Sequence, residues 1–123
     1  MIDAQCACMG KNFEKFLQPH ILMIVAARPM YGLEIVGELE KYTLFLQKRP
    51  DPTGVYRYLK KLESVGLLST TWQAETVGET PKKFYALTPA GKSCLRNWTV
   101  ALGQYGVDIL ELTAHLEDCV SGL

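Results

Sequence analysis

Apolar side chains recur along the chain at helical spacing in four segments and at strand spacing in one pair of short runs. In residues 13–27 the positions Phe13, Phe16, Leu17, Ile21, Leu22, Ile24 and Val25 suit a helix. Pro19 is tolerated only in a first turn, so the main helix begins near Gln18, and it is apolar around most of its circumference. It stops at Arg28, because the residue before a proline is pushed out of the α region. A second helix opens at Tyr31 and Gly32 and reaches about Phe45. Leu33, Ile35, Val36 and Leu39 form its inward side, with Glu34, Glu38, Glu40 and Lys41 toward water. Prolines and charges at 47–52 forbid regular structure until Asp51, an N-cap that sets Pro52 at the first position of a third helix. This helix runs to about Val65. Its residues Val55, Leu59, Leu62 and Val65, spaced by four, three and three, make one core-facing stripe, and Gly66 caps the end. Residues 67–73 then read as a strand, 74–81 as a loop and 82–87 as a second strand, which together make a hairpin.

Thr88 and Pro89 repeat the cap-and-proline signal and open a helix to about Cys119. Along it Leu95, Trp98, Leu102, Tyr105, Ile109, Leu112, Leu116 and Cys119 are separated by 3, 4, 3, 4, 3, 4 and 3 residues, a heptad seam. A helix over 89–119 is about 46 Å long, more than the rest of a small domain can cover, so part of the seam requires a second chain. The competing reading is an amphipathic helix folded wholly back on its own core. Gly103 and Gly106 each weaken the helix by roughly 1 kcal/mol relative to Ala and point to a bend or to the close approach of another helix.

The order of elements predicts a chain that is mainly α with a small β-hairpin: a winged helix-turn-helix domain at 13–88, preceded by a lead-in at 1–12 and followed by a long C-terminal dimerisation helix at 89–123. A length of 123 residues suits one folded unit, and 48% hydrophobic with 21% charged residues is the balance of a globular chain. No apolar run approaches the roughly 18 residues of a membrane span, and the N-terminus lacks the pattern of a secretory signal. A cytoplasmic protein with no membrane partner is expected. The 13 basic and 13 acidic residues cancel, which removes overall charge as an argument for a polyanion partner. Their distribution restores it. Residues 48–61 hold five basic residues (Lys48, Arg49, Arg57, Lys60, Lys61) and one acidic residue (Asp51), a local balance of +4. Lys82 and Lys83 add charge at the base of the hairpin, while Glu75 and Glu79 nearer its tip oppose close contact with phosphates there. A basic helix face standing alone reads as a solvated surface, so the placement of the charges carries the argument.

Three strings extend the reading. They are PMYGLEI at 29–35, PTGVYRYLKKLESVGLL at 52–68 and KFYALTPAG at 83–91, and in this order and spacing they resemble the PadR family of bacterial and archaeal transcriptional regulators over about residues 18–116. The resemblance implies a winged-helix homodimer that binds a roughly palindromic operator in double-stranded DNA, usually as a repressor, and is released by a small molecule or stress signal. The final helix would pair with the partner's N- and C-terminal helices through Leu95, Trp98, Leu102, Tyr105, Ile109, Leu112 and Leu116. A single short C-terminal helix places the chain with the smaller members. In this placement Thr53 reaches a phosphate or base edge, Gly54 leaves room for close backbone approach, and Tyr56 hydrogen-bonds a phosphate, with a half-buried core ring as its other reading. Arg57 and Lys60, with Lys61 beside them, are the base or phosphate contacts, arginine being better suited to guanine. Tyr31 and Gly32 would hold a phosphate at the start of the second helix, and Lys82 and Lys83 would contact the backbone from the wing. Leu59, Leu62, Leu67 and Leu68 pack the core.

The remaining chemistry is sparse. Cys6, Cys8 and Cys119, with His115 or His20, supply soft ligands for a thiophilic metal or a redox switch, and a thiol-based metal- or redox-sensing protein is the alternative function. The spacing does not match paired C-x-x-C knuckles, so reduced cysteines without a metal, and no cofactor, are expected; Cys94 reads as a small core residue. Trp98, Tyr105, Trp72, Met23 and Met30 read first as core and interface packing, and second as a pocket for a small aromatic effector. No nucleophile-base pair, phosphate loop or carboxylate pair supports an enzyme.

Overall fold

The computed structural model describes residues 16–45 and 50–123. Helix α1 (Leu17–Ala27) is followed by strand β1 (Met30–Tyr31), helix α2 (Gly32–Leu39), a 3-10 turn (Thr43–Phe45), helix α3 (Pro52–Ser64), strands β2 (Leu68–Gln73) and β3 (Lys82–Leu87), and helix α4 (Pro89–Ser121). The chain folds as a winged helix with a long C-terminal helix. The sheet is antiparallel in the order β1-β3-β2, with Trp72 opposite Lys83 and Tyr31 opposite Phe84.

The caps lie where the sequence sets them. The Asp51 carboxylate accepts the Gly54 amide at 3.3 Å ahead of α3. The Thr88 hydroxyl accepts the Gly91 amide at 3.0 Å and faces the Gly66 carbonyl at 2.6 Å, tying α4 to the turn that ends α3. That turn reverses through Gly66 at φ +83, a conformation that favours glycine. The apolar stripes converge on one core, in which Ile21, Leu22, Ile35, Leu39, Val55, Leu59, Leu62 and Leu68 are fully buried. Leu59→Ala removes a side chain from its centre and is expected to lower stability by about 2–5 kcal/mol, read from urea unfolding.

Four expectations need correction. The third strand, β1, is too short to carry a pattern and exists through its pairing with β3. Helix α2 ends at Leu39 rather than near Phe45, because the His20 ring meets Tyr42 and Phe45 edge-on, at centroid distances of 5.3 and 4.9 Å, and folds this stretch back over α1. Leu33 is 64% exposed, since it lies about 200° around the helix from Ile35 and cannot share its face. Val65 is exposed because it follows the last helical residue, where the backbone has already left the helix.

Helix α4 divides into two halves. Its first turns rest on α1 and the wing: Trp98 donates its indole N–H to Gln18 at 2.7 Å, and the Cys94 thiol lies half-buried 3.7 Å from the same oxygen. At Gly91 the helix presses against the Leu67 carbonyl and the Leu87 side chain so closely that a Cβ would collide with both. Gly91→Ala is therefore expected to cost about 1–3 kcal/mol by overpacking, measured as a lower urea midpoint with an unchanged slope. The second half is exposed along its length; the Tyr105 ring lies 6.3 Å from that of Phe16, and Gly106 and Ile109 border a groove beside α1. Tyr105, Ile109, Leu112 and Leu116 are 42–57% exposed, and the helix passes unbroken through Gly103 and Gly106, where a Cβ would meet nothing within 4 Å.

Candidate nucleic-acid interface

Helix α3 sorts its residues by side. Val55, Leu59 and Leu62 are buried, whereas Thr53, Tyr56, Arg57, Lys60 and Lys61 are exposed. Among the described residues none of the three cations is in an ion pair. Arg57 and Lys60, three apart, are neighbours on one helical surface with Thr53 and Tyr56 one turn earlier. A Cβ at Gly54 would meet only the Asp51 side chain at ordinary contact distance, so its bare backbone serves no packing need within the described chain. Lys48 and Arg49 lie outside the described residues.

Tyr56 and Gly32, 24 positions apart, are brought together. The Tyr56 ring lies directly on Gly32, where a Cβ would clash with it, and the ring remains 43% exposed on its other side. The Tyr31 amide meets the Glu34 carboxylate at 3.3 Å, and Gly32 is buried. The start of α2 therefore engages its Tyr31 amide within the chain, and Tyr56 is the group of this corner open to solvent. The Arg28 guanidinium, 2.8 Å from Glu34, holds that carboxyl below the usual carboxylate range through its hydrogen bond.

The two wing lysines are not equivalent to those of α3. Lys83 is 2.9 Å from Glu63, whose other oxygen accepts the Thr70 hydroxyl at 2.7 Å. The hydrogen bond from Lys83 lowers the Glu63 pKa, and the same bond raises that of Lys83. Lys82 lies over the Tyr31 ring at 4.4 Å and 3.6–3.8 Å from Glu79 and Glu75. Lys83 thus braces the wing against α3, and Lys82 ties the wing's own loop to Tyr31 of β1. Glu63 was not singled out by the sequence. The signal was its place one turn after Lys60 on α3, combined with the alternation that sets Thr70 and Lys83 on the same face of the sheet.

Gly32→Ala provides a local test of this corner. The added methyl must displace the Tyr56 ring, and DNA affinity is expected to fall about tenfold while Gly37→Ala, in open space on the same helix, leaves it unchanged; anisotropy titration reads both.

The aromatic residues separate. Met23, Trp98 and Tyr105 line a groove of about 410 Å³ between α1 and α4, together with Leu102 and Ile109. Trp72 stands 69% exposed on the wing and Met30 is in the core, so neither belongs to it. Among the described residues no cluster of His, Cys, Asp and Glu could hold a metal ion. Cys119 is exposed, His115 stands 3.6 Å from Glu111, and His20 bonds the Phe16 carbonyl at 2.7 Å. Cys6 and Cys8 lie outside the described residues. No described helix is long and apolar enough to cross a membrane.

Residues 21–97 match the transcriptional regulator PadR-like family. Among solved structures, the smu.1704 protein of Streptococcus mutans is 30% identical, with 76% of this chain and 81% of that one covered and a TM-score of 0.65. The Bacillus subtilis PadR structure in complex with operator DNA is 26% identical; 69% of this chain covers 47% of that longer one, with a TM-score of 0.59. A PadR-like regulator of Bacillus cereus, at 22% identity, covers 81% of this chain and 93% of its own and shares the fold with a TM-score of 0.70. No curated protein matches the sequence.

Proposed function

The chain belongs to the PadR-like family of transcriptional regulators, and from this we propose that it acts as a homodimeric repressor that binds a roughly palindromic operator and leaves it in response to a small molecule or stress signal. The observation that carries the DNA-binding reading is the outward face of α3. Thr53, Tyr56, Arg57 and Lys60 share one exposed surface, with no ion pair to the cations among the described residues. A helix placed in a major groove reads bases with such side chains and seats itself on phosphates with the same charges. The 13–88 unit is the DNA-binding domain in this reading, and 89–123 is the dimerisation arm. Support for the arm comes from the seam of Tyr105, Ile109, Leu112 and Leu116, which the described chain leaves 42–57% exposed. The groove beside Trp98 and Tyr105 continues that seam, so the partner helix fills it or shares it with a flat aromatic effector.

The test is footprinting on the DNA upstream of the protein's own gene, repeated with candidate effectors. Two protected half-sites related by a twofold axis and about one helical turn apart are expected. Protection of a single unpaired site, or none that exceeds random DNA, counts against the reading.

A further inference from the structure

A second cleft, which shares Leu95 and Thr99 of α4 with the groove beside Trp98, lies at the root of the wing, where the end of α1, the end of β3 and the first turns of α4 meet around about 530 Å³. Its apolar lining is Val25, Ala26 and Ala27 from α1, Ala86 and Leu87 from β3 and Leu95 from α4. Its rim is cationic, with Arg28, Lys92 and Arg96, and no carboxylate lines it. Arg28 already answers Glu34. Lys92 and Arg96 are exposed, and neither is in an ion pair among the described residues. They stand four apart on α4, where two like charges repel; Lys92 lies in the first turn, where the helix dipole disfavours a cation and no acidic residue offsets it. Within the described chain no ion pair offsets Lys92 or Arg96. The walls are fixed in place, because Thr88 and Gly91 lock the start of α4 onto the turn before the wing and onto Leu87. The volume is in the usual range for small-molecule sites, roughly 300–1,000 Å³.

We propose that this cleft binds a small amphipathic anion, a medium-chain acyl carboxylate, with its head between Lys92 and Arg96 and its tail along this apolar lining. A guanidinium beside an ammonium suits a carboxylate, which accepts from both. The apolar lining takes a chain and the cationic rim an acid, so an uncharged chain or a bare anion would use only half of the site. Ala86 lies four residues along β3 from Lys82, about 14 Å at strand spacing; the cleft adjoins the corner of α2 through the Arg28–Glu34 pair, but Lys92 and Arg96, which hold the head, lie on α4, so the proposal does not rest on the DNA assignment.

The test is calorimetric titration of the full chain with octanoate, octan-1-ol and acetate, paired with alanine-methyl NMR. Octanoate is expected to bind at least about tenfold more tightly than either control and to move the methyl signals of Ala26, Ala27 and Ala86. Lys92→Gln/Arg96→Gln, both exposed helical positions, is expected to weaken octanoate about tenfold or more with an unchanged melting curve. Equal affinity in the double variant, equal binding of octan-1-ol or acetate, or shifts confined to residues outside this cleft would overturn the proposal.

Discussion

Arg57→Ala/Lys60→Ala is expected to lower operator affinity on the order of 10²–10³-fold, since a base contact of this kind is worth about 1–3 kcal/mol and a phosphate contact adds its own electrostatic share. Both side chains are exposed on α3, so stability should change by no more than about 0.5 kcal/mol, and circular dichroism melting serves as the control. The salt dependence separates the two roles. Removing a cation that neutralises one phosphate reduces the slope of log affinity against log salt by about 0.9, whereas removing a side chain that reads a base leaves the slope and relaxes discrimination between operator and random DNA. Anisotropy titrations at several salt concentrations with both duplexes measure all of this. Wild-type affinity in the double variant would remove α3 from the interface. Lys83→Ala gives a contrasting pattern: its charge is held by Glu63, so its effect should be small on affinity and appear in wing stability.

Leu102→Glu/Ile109→Glu is the second large effect, expected to turn dimer into monomer. Ile109 is 43% exposed and Leu102 half-buried in a groove open to solvent, so the isolated chain tolerates a carboxylate at either position at modest cost. A paired seam does not, because an unpartnered buried charge costs several kcal/mol. Sedimentation equilibrium should show the mass of one chain, with the winged unit still folded by circular dichroism. Operator binding should collapse along with the second half-site contact. A variant that keeps the mass of two chains would displace the interface from this seam.

The elements that local chemistry defines were legible in the sequence. Asp51 with Pro52 and Thr88 with Pro89 mark the starts of α3 and α4, and the 82–87 alternation gives β3 its full extent. What escaped depends on contacts between distant segments. Strand β1 has two residues and no pattern of its own, and it is defined by Tyr85 and Phe84 across the sheet. The shortening of α2 comes from the His20 ring on α1. In the site, the residue types on α3 were readable from charge and period, but the seating of Tyr56 on Gly32 and the capture of Lys83 by Glu63 needed the fold to bring 24 and 20 positions of chain together. Leu33 is a different case: the helical period itself places it outside, and membership of an apolar run was a poorer guide than its angle.

The firm seat of α4 at Gly91 has a mechanical consequence. A rigid rod of 33 residues, about 50 Å long, anchored at one end acts as a lever. Tilting it by about 10° sweeps the far end through roughly 8 Å while the atoms at the fulcrum shift by fractions of an ångström. In the proposed homodimer such a tilt would alter the span between the two α3 helices while leaving either winged unit undisturbed.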